Sequence, residues 1–303
     1  MNYLLERGQS VQDHILFLIF KTMRPRQWTK NLILFAALIF SQSLFQLSML
    51  RDNITAFIIF CFLSGSVYIL NDLIDLEQDR NHPKKCKRPL ASGKLKPSVA
   101  IISGIILVAL SLISAFCLNI NFAWIALGYF ILQIVYSTLL KHIVILDVLT
   151  VSAGFVLRAI AGGEVIEVPI SSWLLICTIL LALFLALGKR RHELLLLEEN
   201  AVNHRKILYE YSPGLLDQMI SVTTASTVIT YALYTMSAET IKKFQTDNLK
   251  YTIPFVLYGI FRYLYLIHQR QEGGSPEKIL LNDKPLIINI LLYLITIWFF
   301  IYA

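Results

Sequence analysis

Long apolar runs separated by short polar connections dominate the chain. A helix needs about 20 apolar residues to cross a bilayer core. On that measure the pattern predicts nine spans, near Leu32–Leu47, Ile54–Ile74, Val99–Leu118, Phe122–Leu140, Val144–Ile160, Ile170–Leu187, Met219–Ala238, Tyr251–Ile267 and Pro285–Ile301. The fifth is short and interrupted, so eight is the alternative count. The fold class that follows is an all-α integral membrane protein, one domain over residues 1–303 with no soluble domain. The longest polar connections are 77–97 and 189–217; 193–200 reads as a helical extension of span six, and 273–275 as a turn.

Composition agrees with the pattern. The chain is 56% hydrophobic and 16% charged, against roughly 25% charged in soluble domains. That excludes a disordered chain, a disulfide-rich secreted domain and an ordinary soluble enzyme. Cys61, Cys86, Cys117 and Cys177 have neither zinc nor redox spacing. Ile15–Phe20 is too short for a signal-peptide core, so the first span is expected to act as its own insertion signal. The net charge is +7, and 22 of the 27 Lys and Arg, counting Arg262 near the end of span eight, fall on the N-terminus and the connections after spans two, four, six and eight. The positive-inside rule then places the N-terminus in the cytoplasm and the C-terminus outside. Topology explains the basic balance better than nucleic-acid binding does.

The most informative polar segment lies at the end of span two: Tyr68, Asn71, Asp72, Asp75, Asp79 and Arg80. Spacings of three and four put the three carboxylates on one helical face, where a hard divalent cation would offset their repulsion. Mg²⁺ takes oxygen ligands, commonly one or two carboxylates plus substrate phosphates, and Asn71 adds a neutral oxygen. Arg88 and Lys94 follow, in a basic stretch with Lys84, Lys85 and Lys87. Cations beside carboxylates suggest a phosphate-bearing ligand. A second constellation holds Tyr136, Lys141, His142, Asp147 and Arg158. Asp147 and Arg158 are about 16 Å apart along a helix and cannot pair on it. An intramembrane charge costs about 2.5–3.5 kcal/mol even on the mild insertion scale, so both are expected to face a polar cavity. Arg24, Gln27, Lys30 and Asn31 precede span one, and Lys189 and Arg190 end span six. All these groups fall on one predicted membrane face. No P-loop, dinucleotide fingerprint, nucleophile elbow or His-Glu-x-x-His motif is present.

Asn71-Asp72-x-x-Asp75-x-x-x-Asp79 resembles the first aspartate motif of the UbiA intramembrane prenyltransferase superfamily. Arg24-Pro-Arg-Gln-Trp-Thr-Lys-Asn31, Arg88-Pro89, Tyr136-Ser-x-x-Leu-Lys141, Asp147, Arg158-Ala-Ile-Ala-Gly162 and Gly188-Lys-Arg190 are similar to its decaprenyl-phosphate phosphoribosyltransferase branch, over about the first two-thirds of the chain. The resemblance implies a nine-helix bundle around a cavity open to the cytoplasm, and Mg²⁺ on Asn71, Asp72 and Asp75 with Asp79 nearby. It also implies transfer of 5-phosphoribose from phosphoribosyl diphosphate (PRPP) to a polyprenyl phosphate, feeding the cell envelope; the sequence leaves the oligomeric state open, a homo-oligomer included. Two departures stand out. The usual second Asp-x-x-x-Asp motif is Asp147 to Val151 here, with one carboxylate, and Arg191-His192 follows Lys189-Arg190.

On this reading Asp72, Asp75 and Asn71 carry catalysis through the metal. Arg88, Lys94, Lys189 and Arg190 neutralise phosphate oxygens. Arg24, Lys30, Lys141 and Arg158 are candidates for the acceptor phosphate or the ribose 5-phosphate, with Gln27, Tyr68, Tyr136 and Asp147 in the same substrate site. The alternatives are a prenyltransferase moving a prenyl group from its diphosphate to a small or aromatic acceptor, and a cation-coupled transporter.

Overall fold

The structure is a computed structural model that describes residues 14–82, 85–199, 210–270, 273–274 and 276–302. Pro83, Lys84, Asn200 and Ser275 lie outside the described residues. Among the described residues regular structure is helical and no strand occurs.

Helix α1 covers 14–22. A 3₁₀ segment, Pro25–Leu34, follows and runs into α2, Phe35–Phe40. The next helices are α3 (Leu47–Ile74), α4 (Leu76–Arg80), α5 (Pro97–Leu118), α6 (Ile120–Thr138), α7 (Leu146–Glu164) and α8 (Ser172–Glu199). The remainder are α9 (Pro213–Met236), α10 (Ala238–Phe244), α11 (Ile253–Gln269), α12 (Pro276–Asn282) and α13 (Lys284–Tyr302). Among the described residues six are long and apolar enough to cross a membrane: α3, α5, α6, α7, α8 as far as Leu195, and α13. Helices α9 and α11 fill the predicted positions of spans seven and eight. The hydroxyls of α9 are satisfied within the helix, as Thr223 Oγ1 donates to the Met219 carbonyl at 2.7 Å and Thr227 Oγ1 to that of Thr223 at 2.7 Å.

Span one differs from expectation. Leu32–Leu47 is not one helix: the 3₁₀ segment and α2 end at Phe40, and α3 begins at Leu47. A ten-residue 3₁₀ run is unusual, and its packing accounts for it. A Cβ on Gly162 of α7 would lie 2.0 Å from the Leu34 carbonyl oxygen, so only glycine lets the segment approach so closely. Buried Asn53 of α3 clamps the crossing, its Nδ2 donating to the carbonyls of Leu34 at 3.3 Å and Gly162 at 3.2 Å. Span six runs on as expected: α8 continues through Lys189–Glu193 to Glu199, the helical extension read from the sequence.

Local signals set the other boundaries. Pro97 opens α5. Asn119 ends α5 and caps α6, its side chain accepting from the Phe122 N–H at 3.0 Å. Ser212 caps α9, with Pro213 as its first residue. One buried cluster joins Phe184, Leu187, Leu216, Ile260 and Leu286 of α8, α9, α11 and α13. Another joins Leu34, Leu38, Phe60, Phe122 and Tyr129 of the 3₁₀ segment, α2, α3 and α6. The faces of α5 turned away from them carry exposed Ile101, Ile102, Ile105 and Ile113, as expected of a lipid-facing surface.

Candidate active site

Between these clusters lies a cavity of about 1400 Å³. One end is polar and lined by Arg24, Lys30, Tyr68, Asn71, Lys189 and Arg190; elsewhere the wall includes Phe40, Leu181, Leu294 and Ile297. The polar residues gather because α3, α6 and α8 finish, and α7 begins, at the same end of the bundle.

The carboxylates of the aspartate segment stand at that end, each against a cation. Asp72 is 2% exposed and bonds to Arg24. Arg88 Nη1 contacts Asp72 Oδ1 at 3.1 Å and also Asp79. Lys85 Nζ lies 3.8 Å from Asp79, and Lys141 Nζ donates to Asp75 Oδ1 at 2.9 Å. The Arg24 guanidinium also sits 4.8 Å from the Tyr68 ring centroid. Among the described residues no three His, Cys, Asp or Glu side chains form a metal-holding group. The donor chemistry nonetheless fits a hard cation. One Arg88 nitrogen lies between Asp72 and Asp79, so the two carboxylates already face a shared positive charge. Asn71 Oδ1 is buried and has no hydrogen-bond partner in the protein, which leaves a neutral oxygen beside them.

A second polar knot lies across the cavity. Arg190, 4% exposed, donates from Nε to Asp147 Oδ2 at 2.6 Å, from Nη1 to Glu193 at 2.5 Å and from Nη2 to Tyr136 Oη at 3.2 Å. Asp147 is fully buried, and its other oxygen accepts from Tyr211 Oη at 2.8 Å. The Tyr211 oxygen also accepts from the Ile145 N–H at 2.7 Å. That N–H belongs to a β-branched residue with φ 68°, in the left-handed region. Asp147 therefore does not face the cavity; it anchors an arginine that does.

Arg158 does line the cavity, deeper along α7. It donates to Asn31 Oδ1 at 2.8 Å, the Gly154 carbonyl at 3.0 Å and Tyr129 Oη at 2.6 Å. Lys94 is exposed on a turn and outside the cavity lining. Gln27, Asp72, Asp75, Asp79, Arg88 and Lys141 also lie outside the lining, the last five in the ion pairs just described.

Tyr129, Glu193 and Tyr211 belong to these groups, and Gln133 to the cavity lining, without having been singled out from sequence; Asn31 was named with the segment before span one but given no role. Tyr129, Gln133 and Tyr136 are spaced four and three apart on α6, a helical face legible in advance. Nothing local marks Tyr211, whose role depends on the return of the chain after α8.

The model of the UbiA prenyltransferase family matches residues 32–282. The chain belongs to the UbiA prenyltransferase family. It is 35% identical to a decaprenyl-phosphate phosphoribosyltransferase of Mycolicibacterium smegmatis, covering 94% of this chain and 92% of that protein. Identity is 34% to the protein of that name from Corynebacterium glutamicum, over 88% of this chain and 81% of the relative. It is 30% to that of Mycobacterium tuberculosis, over 92% of each. Among solved structures, a UbiA homologue from Archaeoglobus fulgidus bound to GPP and Mg²⁺ superposes with a TM-score of 0.72 at 22% identity, covering 94% of this chain and all of that one. That likeness confirms the UbiA fold. Family and apolar helices together make the chain an integral membrane protein.

Proposed function

We propose that this UbiA-family chain transfers 5-phosphoribose from phosphoribosyl diphosphate to a polyprenyl phosphate, giving a polyprenylphosphoryl-5-phosphoribose and diphosphate. Near full-length similarity to proteins named decaprenyl-phosphate phosphoribosyltransferase supports it. The geometry adds the observation that carries it over the prenyl-diphosphate alternative. Asp147, the one carboxylate left of a second aspartate motif, has both oxygens engaged by Arg190 and Tyr211, so a clamp of two carboxylate motifs is not formed.

An oxygen of the ionised acceptor phosphate forms the bond to the anomeric carbon. The bond from that carbon to the diphosphate oxygen breaks, and the diphosphate leaves with the electron pair. Direct displacement inverts that carbon. The acceptor has no proton to lose, so no strong general base is required. Bound Mg²⁺ would neutralise the leaving diphosphate; the donors that fit it are Asn71 Oδ1 and the carboxylates of Asp72, Asp75 and Asp79. Arg24, Lys189 and Arg190 line the polar end and bind phosphate oxygens there, with Arg88 and Lys141 behind the carboxylates. Catalysis is then positioning and electrostatic stabilisation. The apolar stretch of the cavity takes the polyprenyl tail, and the lysine- and arginine-rich end faces the cytoplasm.

Purified protein in detergent, given Mg²⁺, labelled phosphoribosyl diphosphate and a polyprenyl phosphate, is expected to yield a labelled lipid that EDTA abolishes. A prenylated small acceptor, with no labelled lipid at any chain length, would overturn the reading.

A further inference from the structure

Arg158 carries a charge that nothing among the described residues compensates. It is 6% exposed, lies within a membrane-spanning helix and lines the cavity. Its hydrogen-bond acceptors are all neutral: an amide oxygen, a backbone carbonyl and a phenol. No carboxylate pairs with it among the described residues, whereas Arg24, Arg88, Arg190, Arg191 and Arg262 each have one. A guanidinium has five N–H donors, and three are accounted for. Buried charges in a low-dielectric interior are costly unless paired, and an intramembrane charge marks a functional site by default.

The surroundings hold the guanidinium in place without neutralising it. The Tyr129 ring centroid lies 4.6 Å and that of Phe155 5.3 Å from its central carbon. Asn31 is oriented by its own Nδ2, which donates to Ser64 Oγ at 3.2 Å. The Gly162 crossing brings the 3₁₀ segment, and with it Asn31, up to α7. Such a fixed, desolvated and unpaired cation is a ready receptor for a compact anion.

We infer that Arg158, with Asn31 and Tyr129 as its positioning residues, forms a second anion subsite that takes a phosphate monoester. This rests on the phosphoribosyl-transfer reading and goes beyond it by assigning a separate phosphate to a separate place. Two phosphate monoesters enter that reaction, the acceptor lipid's and the 5-phosphate of the donor, and depth separates them. Asn31 joins Arg158 to Ser64, which lies eight residues before Asp72 on α3, about 12 Å along the helix axis. The acceptor oxygen must come within about 3–3.5 Å of the anomeric carbon, and that carbon carries the diphosphate. The acceptor phosphate therefore belongs at the level of the aspartates. The 5-phosphate hangs from the far end of the ribose and is the group that reaches deeper.

The test compares phosphoribosyl diphosphate with ribose 1-diphosphate, which lacks the 5-phosphate, as donors to the same polyprenyl phosphate. The wild-type protein is expected to favour the phosphorylated donor by on the order of 100-fold in kcat/KM. R158Q should lose that preference by slowing the phosphorylated donor alone. R158K, which keeps the charge but not the planar fork, should retain part of it; it also serves if R158Q fails a thermal-unfolding check. Full donor preference in a folded variant would overturn the inference. So would a rise in the KM of the lipid phosphate with donor preference intact, which would give Arg158 to the acceptor. Wild-type protein that uses neither donor would instead overturn the phosphoribosyl-transfer reading.

Discussion

Arg190 Nε donates to Asp147 Oδ2 at 2.6 Å, joining residues that are 43 positions apart and both almost fully buried. The pair makes Asp147 the anchor of a cavity-lining arginine. Asp147→Asn is expected to lower kcat/KM on the order of 10- to 100-fold by loosening Arg190, and to destabilise by about 3 kcal/mol, the usual cost of breaking a buried ion pair. The Mg²⁺ concentration for half-maximal activity should not change. A rise in that concentration would make Asp147 a metal ligand.

Asp72 behaves differently under the same measurement. It belongs to the cluster whose oxygens fit Mg²⁺, so Asp72→Ala should reduce transfer at least on the order of 1,000-fold, since the metal's charge at the leaving diphosphate is lost with it. Mg²⁺ at about 100 times its dissociation constant should also stabilise the wild-type protein by about 2.7 kcal/mol. Thermal unfolding with and without Mg²⁺ reads this directly, and the Asp72→Ala protein should show no such gain.

Gly162 is where the 3₁₀ segment meets α7. A methyl group there would meet the Leu34 carbonyl oxygen at 2.0 Å, and a backbone atom cannot turn aside as a side chain can. Gly162→Ala should cost about 1–3 kcal/mol, the usual penalty for overpacking. Because Asn31 rides on the same segment, the variant should also weaken donor binding. Unchanged thermal unfolding would refute the close crossing.

Tyr211 reaches Asp147 from outside the spanning helices. Burial pushes its phenol up to about 12 from the ordinary value of 10. A raised value means that the neutral phenol is favoured by folding. The contribution is complete below pH 10 and is lost as pH rises toward 12. Wild-type stability should fall more steeply than that of Tyr211→Phe between pH 10 and pH 12, while between pH 6 and pH 9 the gap between them should stay constant. A gap that varies across the neutral range would show that another group is titrating.

Much of this was legible along the chain. Apolar runs of bilayer length located the spans, because a helix must satisfy its backbone within the membrane. Helical spacing foreshadowed the approach of Asp72 and Asp79 to one Arg88 nitrogen, but the helix breaks at Asp75, between α3 and α4, and that carboxylate pairs with Lys141 instead. Pro97, Asn119 and Pro213 sit at helix ends that the structure shows, where local backbone chemistry accounts for them. Local signals of this kind depend on residues a few positions apart.

Pairing across the bundle was decided only by the tertiary structure. Asp147 and Arg158 looked alike in sequence, both charged residues in one apolar run. Packing gave Asp147 the Arg190 of α8 and the Tyr211 beyond it, and gave Arg158, among the described residues, neutral partners from the 3₁₀ segment, α6 and its own helix. The span boundary that failed, Leu32–Leu47, failed for the same reason. Hydropathy records that a segment is apolar, but the close approach of Leu34 to Gly162 sets its path, and that contact links residues more than a hundred positions apart. A charge's partner and a segment's path are properties of the packed bundle, because the energies that select them act across space and not along the chain.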